Sequence, residues 1–110
     1  MFFSPPNVPS IDVQDAYEKI SKGEVEYLLD VRTPGEFERG ALKNSVNIPL
    51  DAFEGQIEKV VQNKDATVLV YCLSGSRSVF AVQIMQQMGY TNVFDISNGL
   101  LAWRTKKLPL

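Results

Sequence analysis

Apolar positions along this chain of 110 residues form short continuous runs that alternate with helical stripes. Ile11 begins a first short strand. Val13, Ala16, Tyr17 and Ile20 then recur at steps of three and four, the spacing of one helical face. Asp12, with Asp15 three positions on, marks the start of that helix, and Lys22-Gly23 marks its stop. Residues 25–31, dominated by Tyr27, Leu28 and Leu29, read as the next strand. Thr33-Pro34-Gly35-Glu36 follows as a compact helix start. Threonine caps, proline fits the first position, and glutamate can return a bond to the cap. Gly40 keeps that helix short. Residues 45–48 read as a strand closed by Pro49, and Phe53, Ile57, Val60 and Val61 mark a third helix. Val68–Tyr71 is a buried strand. Phe80, Ala81, Ile84, Met85 and Met88 form the stripe of the helix behind it, which Gly89 ends. Val93–Ile96 is a last strand. Ser97-Asn98-Gly99 turns into a short helix carrying Leu101, Ala102 and Trp103.

Strands alternating with helices predict an α/β domain whose parallel sheet carries helices on both faces. Ligands of such sheets gather beyond the carboxyl ends of the strands. Asp30 and Cys72 both stand at such ends, so the two belong to one rim although 42 positions apart. Residues 1–9, with three prolines, read as an N-terminal extension, residues 10–104 as the domain and residues 105–110 as a tail.

The pattern breaks most sharply at Val-Leu-Val-Tyr-Cys-Leu-Ser-Gly-Ser-Arg-Ser, residues 68–78, which holds the only cysteine of the chain. A strand, a six-residue turn and a helix in succession aim backbone N–H groups inward from the turn. Such a nest favours an anion, and the thiolate of Cys72 is the anion most easily placed there. A thiolate so surrounded has a lowered pKa and attacks electrophilic sulfur readily. Arg77 is the only charged residue between Asp65 and Asp95. A cation at a helix N-terminus opposes the helix dipole, so Arg77 calls for a compensating anion, either a substrate or a carboxylate of the rim.

Composition narrows the chemistry further. Net charge is −2, and neither half of the chain carries a basic stripe, which argues against a nucleic-acid backbone as partner. No apolar run approaches the eighteen or so residues that cross a bilayer. Met1-Phe2-Phe3 is followed at once by Ser-Pro-Pro and lacks the features of a secretory signal, so a cytoplasmic location is expected. One cysteine makes no internal disulfide, and a chain without histidine has neither an ordinary zinc site nor a Cys-His pair. No metal or cofactor is expected, and activation of a nucleophile falls to backbone dipoles, nearby cations or the substrate.

Three segments resemble the rhodanese homology domain. Residues 28–50, LLDVRTPGEFERGALKNSVNIPL, are similar to that family's Asp-x-Arg strand end, Glu-Phe helix and run into Asn-Ile-Pro. YCLSGSRS, residues 71–78, resembles its active-site cysteine and loop. NGLLAW, residues 98–103, resembles its closing turn. The resemblance implies a single three-layer domain with a five-stranded parallel sheet. It also implies transfer of sulfane sulfur, from thiosulfate or a persulfide donor, through a persulfide on Cys72 to a thiol or cyanide acceptor. Leu73, Ser74, Gly75, Ser76 and Arg77 would form the substrate-binding cradle, with Asp30, Arg32 and Ser78 in support.

Three positions depart from the family pattern. Many members place a cation immediately after the cysteine, where this chain has Leu73. That weakens the expectation that dianionic thiosulfate is preferred and favours a protein-borne persulfide. Asn98 stands where a glycine is frequent, and asparagine tolerates positive φ. Ala41 replaces a frequent histidine. Two other functions stay open on the residues alone. One is a noncatalytic or relay module that carries or binds sulfur. The other is a cysteine-dependent phosphatase or arsenate reductase, although only four residues separate Cys72 from Arg77, against the five typical of such phosphatases.

Overall fold

The computed structural model describes residues 5–110. The reading of residues 1–3 as no secretory signal, and the first four residues of the expected extension, lie outside the described residues.

Chain order is β1 (Ser10–Ile11), α1 (Val13–Ser21), β2 (Tyr27–Asp30), α2 (Pro34–Glu38), β3 (Val46–Asn47), α3 (Leu50–Val60), β4 (Val68–Tyr71), α4 (Ser78–Gln87), β5 (Val93–Ile96) and α5 (Gly99–Thr105). The five strands form one sheet in the order β1-β5-β4-β2-β3, and every pairing is parallel. Local signals account for several boundaries. Asp12 Oδ1 accepts from Asp15 N–H at 2.8 Å and caps α1. Thr33 and Glu36 complete a reciprocal capping box on α2, with Pro34 in the first turn.

Strand alternation divides the core into two layers. Val68, Val70 and Cys72 face a cluster built with Phe53 and Ile57 of α3 and Ala81, Val82 and Met85 of α4. Leu69 and Tyr71 face the other side, among Val13 and Ala16 of α1 and Leu100 and Trp103 of α5. All four β4 residues are buried, as expected of a central parallel strand covered on both faces. The buried face of α4 centres on Ala81, Val82 and Met85, while Phe80, Ile84 and Met88 lie at its edges, half-buried. The apolar stripe of the sequence is therefore turned slightly from the one that packs. Apolar residues on much of the circumference of α4 give its periodicity little to resolve.

The chain leaves β2 towards β3 on one side and leaves β4 towards β5 on the other. Their adjacent carboxyl ends thus form the switch point of the sheet, where a crevice opens.

Candidate active site

The loop of residues 72–77 rises from β4 at this switch point and is held from behind by α5. Leu100 N–H donates to Cys72 O and Leu101 N–H to Leu73 O, each at 2.9 Å. These bonds satisfy two of the N–H groups that a helix start leaves open. They also turn the N–H groups of the same two peptide planes away from α5, because a trans peptide sets N–H and C=O opposite each other. Gly99 makes the approach close. A Cβ there would lie 2.3 Å from Cys72 O, and its φ is +53°. Asn98, at φ 61°, adopts the left-handed conformation expected of its position.

Cys72 is fully buried. Gly75 N–H donates to its sulfur at 3.0 Å, and Gly75 reaches this geometry at φ +99°, where glycine alone is free of strain. The thiol in turn donates to Ser78 Oγ at 3.4 Å, and Ser78 donates to Asp95 Oδ1 at 2.5 Å. Ser74 and Ser76 are exposed and face each other at 3.4 Å. Of the three loop and cap serines, Ser78 is therefore the one against the sulfur. Leu73 is half-buried against the α1 and α5 side of the sheet.

Arg77 finds its anion in Glu36. The guanidinium grips the carboxylate with two bonds, Nη1 to Oε1 at 2.7 Å and Nη2 to Oε2 at 3.0 Å. That bond holds the Glu36 carboxyl at about 2, well below its ordinary value, and raises Arg77 further. Glu36 Oε1 also accepts from the N–H and hydroxyl of Thr33, so one carboxylate caps α2 and clamps the loop. A largely apolar cleft of about 330 Å³ opens beside the clamp, lined by Val31, Thr33, Pro34, Pro49, Leu50, Asp51 and Arg77.

Asp30 and Arg32 share the rim with Cys72, but on the opposite face of the sheet. Leu28 and Tyr71 lie with them there, whereas Cys72 faces α4. Arg32 Nη2 meets Asp30 Oδ2 at 2.7 Å and Gly40 O at 2.7 Å. Asn47 Nδ2 donates to both Asp30 O and Arg32 O. The pair thus ties β2, β3 and the end of α2 together, and both side chains are almost wholly buried. Tyr71 completes this face. Its hydroxyl accepts from Leu42 N–H and donates to Ser45, while burial pushes its pKa up to about 12.

Two residues of the site escape a reading by motif. Glu36 reads in the sequence as a helix cap, and its second bond depends on tertiary contact. Asp95 had a signal of its own: it is the one charge in a strand otherwise made of Val93, Phe94 and Ile96. Among the described residues, no cluster of three or more histidine, cysteine, aspartate or glutamate side chains could hold a metal ion.

Known proteins share the sequence pattern and fold of this chain. A sulfurtransferase of Allochromatium vinosum is 29% identical over 103 residues, covering 94% of each chain. The thiosulfate sulfurtransferase PspE of Escherichia coli is 38% identical over 68 residues, 62% of this chain and 65% of its own length. The crystal structure of a rhodanese-related protein from Thermoplasma volcanium superposes with a TM-score of 0.81 at 34% identity, covering 92% of this chain and 95% of that one. The family model for the rhodanese-like domain matches residues 12–106, nearly the whole chain, and this protein belongs to the rhodanese-like sulfurtransferase family.

Proposed function

We propose that this chain moves sulfane sulfur through a persulfide on Cys72. The observation that carries the reading is the setting of the sulfur, which lies at the start of α4, under the Gly75 N–H and beside Ser78. In the first half-reaction the Cys72 thiolate attacks the outer sulfur of the donor. The donor's S–S bond breaks and its electron pair leaves with the remnant, sulfite when thiosulfate is the donor. In the second, an acceptor thiolate or cyanide takes that sulfur and the pair returns to Cys72. Fixed dipoles of the loop and helix start favour the negative sulfur at each stage, without a histidine base. Because Cys72 is fully buried, residues 73–77 must shift to admit a donor, and the cleft beside Arg77 is the approach we assign to it.

Thiosulfate and persulfides are the donors of this reading, as the name of the E. coli relative suggests for the first. Leu73 and the exposed Leu101 give a second reading some weight. Their apolar surface beside the loop suits a persulfide presented by a partner protein, and the chain then serves as a relay. Phosphatase or arsenate reductase chemistry has less support, since the Arg77 fork that would hold a tetrahedral oxyanion is closed on Glu36.

Intact-mass measurement after donor treatment tests the proposal. We expect a gain of one sulfur atom, ~32 Da by the covalent chemistry of a persulfide, that an acceptor thiol removes and that Cys72→Ala abolishes. No gain with either thiosulfate or a protein persulfide, on folded and reduced protein, would overturn it.

A further inference from the structure

Asp95 is a buried titratable group to which the sulfur chemistry above gives no task. It is 4% exposed and lies on β5 with Val93, on the sheet face that carries Val70 and Cys72. Its Oδ1 accepts the hydroxyl proton of Ser78, the first residue of α4. A serine hydroxyl has one proton to give. With that proton directed at Asp95, Ser78 Oγ meets Cys72 through its lone pairs and accepts from the thiol. The three groups therefore form one directed chain, from S–H to O–H to carboxylate.

We propose that Asp95 is a positioning residue for Cys72 and, acting through Ser78, stores the proton of its thiol. In this step the Cys72 S–H bond breaks as Ser78 Oγ takes the proton, and the original hydroxyl proton passes to Asp95 Oδ1. The products are a thiolate, a serine hydroxyl that now donates to it, and a neutral carboxylic acid. One proton has moved from sulfur to carboxylate, net charge is unchanged, and nothing is oxidised. When Cys72 is released as a thiolate after the second half-reaction, the proton returns by the reverse shift.

The surroundings of the chain support this role. Burial raises the Asp95 pKa, and the Ser78 bond opposes that rise. Among the described residues no charged side chain shifts Asp95, and Ser10 of β1, Ser74 and Gly75 of the loop and Val79 of α4 lie beside it. The charged group that interacts with the sulfur is Arg77, clamped by Glu36, while Asp30 and Arg32 lie on the opposite face of the sheet. A polar recess of about 270 Å³ borders Asp95 with Asn7, Ser10, Ser74 and Ser97, and links this carboxylate to solvent.

The inference rests on Cys72 being the nucleophile of the proposed function, but its test needs no sulfur donor. Thiolate ultraviolet absorbance is followed against pH, below the range where tyrosines ionise, with Cys72→Ala as background. The single cysteine makes the signal unambiguous. Two coupled groups sharing a proton release it in two macroscopic steps. Wild type is expected to show an acid shoulder before its main rise. Asp95→Asn keeps an oxygen for Ser78 and should show one step. Ser78→Ala should shrink the shoulder, and Ser78→Thr should restore it. A single step in wild type, or a shoulder that survives in Asp95→Asn, overturns the proposal. So does a shoulder unchanged in Ser78→Ala, which remains the decisive variant should Asp95→Asn fail to fold. Sulfur uptake with a one-step titration would refute only the proton store. A two-step titration without sulfur uptake would refute only the transfer reaction.

Discussion

Two side chains at the mouth, Leu73 and Glu36, set how much positive charge a donor meets. Leu73 occupies the position after Cys72 with an apolar, half-buried side chain. An arginine there can lay its methylene stem on the same surface and carry its charge outward. Leu73→Arg is expected to raise thiosulfate transfer through a lower KM, by roughly 0.5–2 kcal/mol or about 2- to 30-fold, most at low salt. Thiosulfate titrations of both proteins at two ionic strengths check this, and no gain at low salt would mean that Leu73 does not limit the donor. Glu36 acts in the opposite sense by neutralising Arg77, and its contribution to stability depends on pH. Its carboxyl falls from an ordinary 4.5 to about 2 in the folded chain, chiefly through the Arg77 bond. A lowered carboxyl stabilises the fold above its unfolded pKa, and that contribution is lost as pH drops through the folded value. Glutamine preserves the capping box but not the charge. The difference in Tm between wild type and Glu36→Gln should therefore be constant above about pH 5 and shrink between 4.5 and about 2. A difference that stays constant across that window would show that the clamp contributes no charge-dependent stability.

Between elements, the tightest contact at the site is α5 against the loop. Gly99→Ala places a Cβ 2.3 Å from Cys72 O and 2.9 Å from Leu73 O, at a positive φ. Backbone on both sides leaves no flexible atom to yield, so α5 must withdraw from the two carbonyls it holds. A loss of about 1–3 kcal/mol is expected, with a larger fall in both stability and sulfur transfer than Gly75→Ala, whose Cβ would meet Asn98 N at 3.3 Å. Denaturant unfolding and transfer assays on both variants decide the order. This contact was half legible in the sequence. Asn98-Gly99 announced a turn, and Trp103 read as a core plug, which its 3% exposure bears out. That the turn's N–H groups hold the loop carbonyls could not be read, because α5 and the loop meet only once β5 lies beside β4. Strand β4 was legible to the residue, since its run of valine, leucine and tyrosine is too short for a helix and ends at a small-residue loop. Strands β2 and β3 came out shorter than the runs that announced them, because pairing partners, rather than hydrophobicity, fix where a ladder ends. Asp30 and Cys72 were correctly placed on one rim. Their opposite faces follow from the pleat of two paired strands, Asp30 lying level with Tyr71 and not with Cys72.

For the molecule as a whole, function and stability pull apart at Asp95. Other buried polar groups of this domain are paired: Asp30 and Arg32 satisfy each other, and Tyr71 ties the segment around Leu42 to the sheet. Among the described residues no cation offsets the desolvation of Asp95, and burial raises its pKa. A carboxyl raised on folding weakens the fold as pH climbs from its unfolded value of 3.8 through the folded one, because the unfolded chain ionises more easily. Asn at this position still accepts from Ser78 and brings no charge into the core. Asp95→Asn is therefore expected to raise Tm at neutral pH, with the gain shrinking as acid protonates the wild-type carboxyl and vanishing below the unfolded value. Thermal unfolding of the two proteins across that range measures it. A destabilised Asp95→Asn at neutral pH would show that the ionised carboxylate strengthens the core. A gain in stability joined to a loss of the acid thiolate shoulder would place Asp95 among the groups that weaken a fold at its working site. An aspartate then persists in a core strand, where an uncharged residue packs better, because the thiol beside it needs somewhere to put a proton.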